Sequence, residues 1–160
     1  MAVNRYLPHV LVLPEDEATR SLAVGFNDQA TGQMQVLNPA GGWPHVLQTF
    51  QDRYIAYLNQ YNDGHIVLLI DFDDVHVERF SQFQGAIPAL VAARVYVLGA
   101  TTEAEVLRNA TGLKYGVLGA DLAKECRGGV FSLWTCPQLQ DNQPELARLV
   151  ANVKPFLFTA

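Results

Sequence analysis

A chain of 160 residues, 49% hydrophobic and 17% charged, has the composition of one globular domain with a sizeable core and excludes a disordered segment. Its formal net charge of −5, with eleven Lys and Arg scattered along it, excludes a general nucleic-acid coat and leaves only local or metal-mediated contact with nucleic acid. No run approaches the roughly 18 apolar residues of a spanning helix, and two cysteines, Cys126 and Cys136, make neither a disulfide framework nor a zinc site. The opening MAVNRYLPHVLVLPEDE lacks the shape of a signal peptide, so a cytoplasmic protein without membrane contact is expected.

In chain order, HVLVL (9–13) reads as a strand buried on both faces, stopped by Pro14. EDEATRSLAVGF (15–26) reads as a helix with its acids in the first turn, where they suit the dipole. QMQVLN (33–38) is a short strand. The apolar spacing within 43–61 is helical, and NDG (62–64) is a turn. HIVLLID (65–71) is a strand, 77–90 a short helix and loop, and ARVYVLG (93–99) another strand. TTEAEVLRNA (101–110) opens on a capping-box pattern, Thr102 with Glu105, and continues as a helix. A helix over 114–127, a short extended segment over 128–134 and a helix over 142–153 with Pro144 near its start complete the chain.

Apolar strands alternating with helices give an α/β domain: a Rossmann-like three-layer sandwich around a mostly parallel sheet of about four strands. The whole of 1–160 reads as one domain, a core over about 8–100 with a helical extension over 101–160. Ligands of such sheets collect outside the carboxyl ends of the strands. There HIVLLIDFDD places Asp71, Asp73 and Asp74, and VLVLPEDE places Glu15 and Asp16. In extended backbone Asp71 and Asp73 point the same way, with Phe72 packing on the other side. If the two strands are neighbours, four or five carboxylates converge on one rim. Crowded carboxylates raise one another's pKa or take up a cation, and oxygen-only ligands favour Mg²⁺, Mn²⁺ or Ca²⁺.

The acid after the first strand and the D-x-D after a later one resemble the Toprim domain over roughly residues 8 to 100. The resemblance implies Mg²⁺ (or Mn²⁺) on the acidic pair and phosphodiester cleavage or nucleotidyl transfer. It implies Glu15 as general acid/base, Asp71 and Asp73 as metal ligands and Asp74 as an auxiliary ligand. Glu15 itself counts among the metal-site acids. Arg79 and Lys114 are candidate phosphate contacts, each weighed against a solvated surface cation. The substrate would be a nucleic acid or a phosphorylated small molecule. DFDDV also resembles the nucleophile motif of haloacid-dehalogenase-type phosphatases, but no fitting acidic pair follows. A third reading is a non-catalytic interaction domain, acting as a homodimer or on a protein partner, with ERFSQFQGAIP and FSLWTCPQLQDNQP as its surface.

Overall fold

The structure, a computed structural model, describes residues 2–158. Its elements are β1 (His9–Pro14), α1 (Glu17–Asn27), β2 (Met34–Val36), α2 (Trp43–Thr49), α3 (Ile55–Gln60), β3 (Gly64–Leu69), α4 (His76–Ala86), β4 (Val95–Leu98), α5 (Ala104–Thr111), α6 (Tyr115–Gly128), α7 (Gln143–Asn152) and α8 (Lys154–Leu157). The four strands form one sheet in the order β2-β1-β3-β4, every pair parallel, with β1 and β3 in register from His9–Gly64 to Pro14–Leu69.

The strand sequences are apolar runs because both faces of the sheet are covered. Leu11, Leu13, Ile66, Leu68, Ile70, Val95 and Val97 face Val46, Phe50, Leu58 and Phe83 from α2 to α4 and the turn between α2 and α3. Val10, Val12, Val67, Tyr96 and Leu98 face the opposite layer, where α1, α7, α8 and the residue joining the last two supply Ala23, Leu149, Leu157 and Val153. A third cluster beyond this layer joins α5, α6 and α7 through Leu107, Leu118, Leu122, Trp134 and Leu146. The domain is therefore an α/β three-layer sandwich of Rossmann-like type.

Several local expectations change. The helix expected over 43–61 contains a π-turn at Phe50–Tyr54 between α2 and α3. In a regular helix Phe50 and Leu58 would lie about 80° apart around the axis; the extra residue of a π-turn brings them nearly into line. Both are fully buried. Residues 129–139 form turns, not the extended segment expected over 128–134. The carboxylate of Glu125 accepts the backbone N–H groups of Ser132, Leu133 and Trp134, which holds the chain back against α6. Trp134 and Phe83, considered above as partner-surface aromatics, are buried in the core.

The outer edge of β4 is closed by side chains instead of a fifth strand. Asn142 accepts from Gly99 N at 3.0 Å and donates to Gly99 O at 2.8 Å. Glu145 accepts from Val97 N at 3.3 Å, and Arg148 donates to Val95 O at 3.2 Å. An unpaired edge is a template for wrong pairing; here one face of α7 and the residue before it supply the missing donors and acceptors.

Helices α1 and α6 meet with almost no side chain between them. A Cβ on Gly119 would lie 2.0 Å from Leu22 O, and one on Gly25 would lie 2.2 Å from Gly116 O. Gly119→Ala is expected to lower stability by about 1–3 kcal/mol, because two backbones must separate. Urea denaturation reads this directly; a loss below about 0.5 kcal/mol would show that the helix pair separates without cost.

Candidate metal centre

The chain runs from β1 outward to β2 and then crosses back to β3, so the loops after β1 and β3 diverge. That divergence opens a crevice at the carboxyl edge of the sheet, the place where ligands bind in open α/β sheets. Glu15 follows β1 directly and extends its ladder, Glu15 N donating to Leu69 O at 2.9 Å. Its carboxylate then reaches across the seam. Oε2 accepts Asp71 N at 2.7 Å and Oε1 accepts Trp43 N at 2.9 Å. Three segments, at residues 15, 43 and 71, are thereby joined by one side chain.

Asp71 lies two residues beyond β3. Its Oδ1 accepts Ala104 N at 3.1 Å, the first residue of α5. The Thr102–Glu105 capping box expected from the sequence is not formed; the cap comes from Asp71, across the sheet edge. Asp16 caps α1, accepting Thr19 N at 2.9 Å while Asp16 N donates to Thr19 Oγ1 at 3.1 Å. The helix expected from residue 15 thus starts at Glu17, and Glu15 is left outside it. One carboxylate oxygen from each of Glu15, Asp16 and Asp71 lies within 4.8 Å of the other two. Glu15 and Asp71 are each only 8% exposed.

Burial is the main cause that pushes the Asp71 carboxyl up to about 7, with the charges of Glu15 and Asp16 next and the Ala104 N–H pulling the other way. Burial also raises Glu15, against the stabilising N–H of Asp71. Among the described residues no Lys or Arg forms an ion pair with Glu15, Asp16 or Asp71. Three converging carboxylates without a basic partner form an oxygen-only donor set that suits a hard divalent cation. The residues present therefore fit a metal ion of that class.

The remaining candidates take other places. The expected alternation of Asp71 and Asp73 ends after Phe72, because Asp73 and Asp74 both adopt left-handed backbone, with φ of 50° and 62°. Their N–H groups donate to Thr102 O and Thr101 O, which turns the chain toward α4. Asp73 is exposed and ion-pairs with Arg79; Asp74 is exposed beside it. Arg79 is not a solvated cation. It is 9% exposed, donates to Asp71 O at 3.0 Å and stacks with its Cζ 4.4 Å from the centre of the Trp43 ring. Lys114 is exposed at the N-terminal cap of α6.

Asp16, placed by the sequence on the acidic rim but without a ligand role, belongs to the cluster. Its N-cap position is an ordinary one, and only the pairing of β1 with β3 shows that its carboxylate faces Asp71. Trp43 contributes a backbone N–H and a ring, and neither leaves a signal in sequence. Comparison of the chain with family models, with curated proteins and with solved structures gives no match, so the site is read from its own geometry. Among the described residues no helix is long and apolar enough to cross a membrane.

Without a cation, Asp71 opposes folding at neutral pH. Its folded pKa of about 7 stands above the unfolded value of 3.8. The folded state then holds a proton that the unfolded state has released, so stability falls as pH rises through this window. Asp71→Asn keeps an acceptor for Ala104 N and removes the charge. In EDTA at pH 8 the variant is expected to be more stable than wild type by about 1–2 kcal/mol, a figure reduced from the full shift for solvent screening. The gain should vanish near pH 4. Thermal melts across pH check both limits.

Proposed function

We propose that this chain cleaves or transfers phosphodiesters at a divalent cation held by Glu15, Asp16 and Asp71, in the manner of the Toprim-like family it resembles. The observation that carries this reading is the meeting of Glu15 and Asp71 across the β1–β3 seam. Two acids from separate loops share the switch crevice, one hydrogen-bonded to the backbone of the other.

A bound Mg²⁺ or Mn²⁺ would supply Lewis acidity toward a phosphoryl oxygen and stabilise the charge developing there. Glu15, Asp16 and Asp71 are the carboxylates that would hold such an ion. Glu15 is also fixed by two backbone N–H groups and its proton affinity is raised by burial, the direction that suits a general acid/base. The crevice is bordered by the head of α6. There burial first, then the charges of Glu105, Asp16 and Asp71, push Tyr115 up against the opposing pull of Arg108. Exposed Lys114 precedes it and is one candidate contact for an incoming phosphate. The substrate class is a nucleic acid or a phosphorylated small molecule.

The test is cleavage of labelled single-stranded DNA, duplex DNA and RNA with Mg²⁺ or Mn²⁺, beside a phosphomonoester control. Diester cleavage should require the metal and fall by about 100-fold or more in Glu15→Gln and in Asp71→Asn. Turnover of the monoester alone would replace this reading with the haloacid-dehalogenase-like one. If no substrate reacts and calorimetry finds no Mn²⁺ binding that Asp71→Asn removes, the metal-enzyme reading fails and a non-catalytic interaction domain takes its place.

A further inference from the structure

The loop 71–74 carries features that the three-carboxylate site does not use. Asp73 and Asp74 are consecutive non-glycine residues in left-handed backbone, a sparsely populated conformation that persists only when its surroundings impose it. The Asp73 side chain is 50% exposed, whereas its partner Arg79 is 11% exposed, so the arginine is the fixed member of the pair and the aspartate the free one. Two buried polar side-chain atoms lack a hydrogen-bond partner among the described residues, Arg79 Nε and Thr102 Oγ1. Both border this loop: Arg79 holds Asp71 O and Asp73, and Thr102 O accepts from Asp73 N. The guanidinium is nine-tenths buried: its Nη1 meets Asp71 O and Asp73, its face lies on Trp43, and its Nε is left without a partner.

We propose that Arg79 is a latch, an internal cation that holds Asp73 out of the acidic cluster until a divalent ion replaces it. The inference rests on the metal-site reading and goes beyond it. In the latched arrangement seen here, Asp73 is paired with Arg79 and its carboxylate stands apart from the Glu15–Asp16–Asp71 group. In the unlatched arrangement Asp73 exchanges the guanidinium for the cation and becomes its fourth carboxylate. Arg79, kept in place by Trp43, is then released to face an anion beside the ion. One residue thereby couples loading of the cation to exposure of an anion receptor, so the receptor is offered to phosphate only at a loaded site. A guanidinium suits that role because its donors match phosphate geometry.

Mn²⁺ calorimetry on wild type, Arg79→Met, Asp73→Asn and the double variant tests this, with near-ultraviolet circular dichroism as the folding check. Removal of the competing cation should tighten Mn²⁺ binding in Arg79→Met by about 5-fold or more, a coupling of ordinary size. The gain should disappear in the Asp73→Asn background, because the latch acts through Asp73. A gain that persists there reports plain charge repulsion and overturns the latch. Weaker binding in Arg79→Met also overturns it. Should Arg79→Met fail to fold, Asp73→Asn alone decides: weakened binding supports recruitment of Asp73, and unchanged binding overturns it. Asp71→Asn separates the two levels. Its loss of binding with Asp73→Asn unaffected removes the latch alone, whereas no binding by wild type removes the metal-site reading as well.

Discussion

The carboxylate of Glu15 fixes the geometry at this edge of the sheet. It takes one N–H from the segment after β3 and one from the head of α2, so three loops that share no regular structure acquire a common origin. Both bonds are charge-assisted, and each is shorter than 3 Å. Asp71 repeats the device one strand further on by capping α5 through Ala104 N. The two acids are therefore structural acceptors and electrostatic liabilities together. They are needed as acceptors in the fold, and their burial, with their crowding, raises their affinity for a proton.

How the charge is balanced explains the layout around them. The nearest buried cation, Arg79, is spent on the backbone of Asp71 and the side chain of Asp73 and is flattened on Trp43. It forms no ion pair with the Glu15–Asp16–Asp71 group. Had it done so, one of the three negative charges would be offset and the call for a further cation would be weaker. Trp43 links both sides, since its backbone N–H orients Glu15 while its ring carries Arg79. The acidic side of the crevice and the cationic side are thus held by one residue, at the start of a helix that the sequence marks only by GGWP.

Much of the fold was legible because apolar runs such as HVLVL and HIVLLI are strong local signals for strands buried on both faces. The parallel sheet, its four strands and the layered helices follow from that alternation. Glu15 and Asp71 stood out because acids directly after such strands fall at the carboxyl edge. What stayed hidden is tertiary. The left-handed turn at Asp73 breaks the strand alternation assumed for D-x-D. The cap on α5 comes from a residue 33 positions earlier. The burial of Arg79 depends on a tryptophan ring from another helix. Neither propensity nor spacing reports such long-range partners, and the same limit explains why Asp16, placed on the acidic rim, was given no ligand role.

The closure of β4 by Asn142, Glu145 and Arg148 has a consequence for the order in which the chain matures. The strand emerges from synthesis about 45 residues before the side chains that cover its edge, a span of several seconds at ordinary elongation rates. Through that interval the sheet is assembled on its inner side and open on its outer one. A nascent chain is then a sticky half-product whose safety depends on how quickly α7 arrives, so slow translation after residue 100 would select for a molecular chaperone that shields extended backbone.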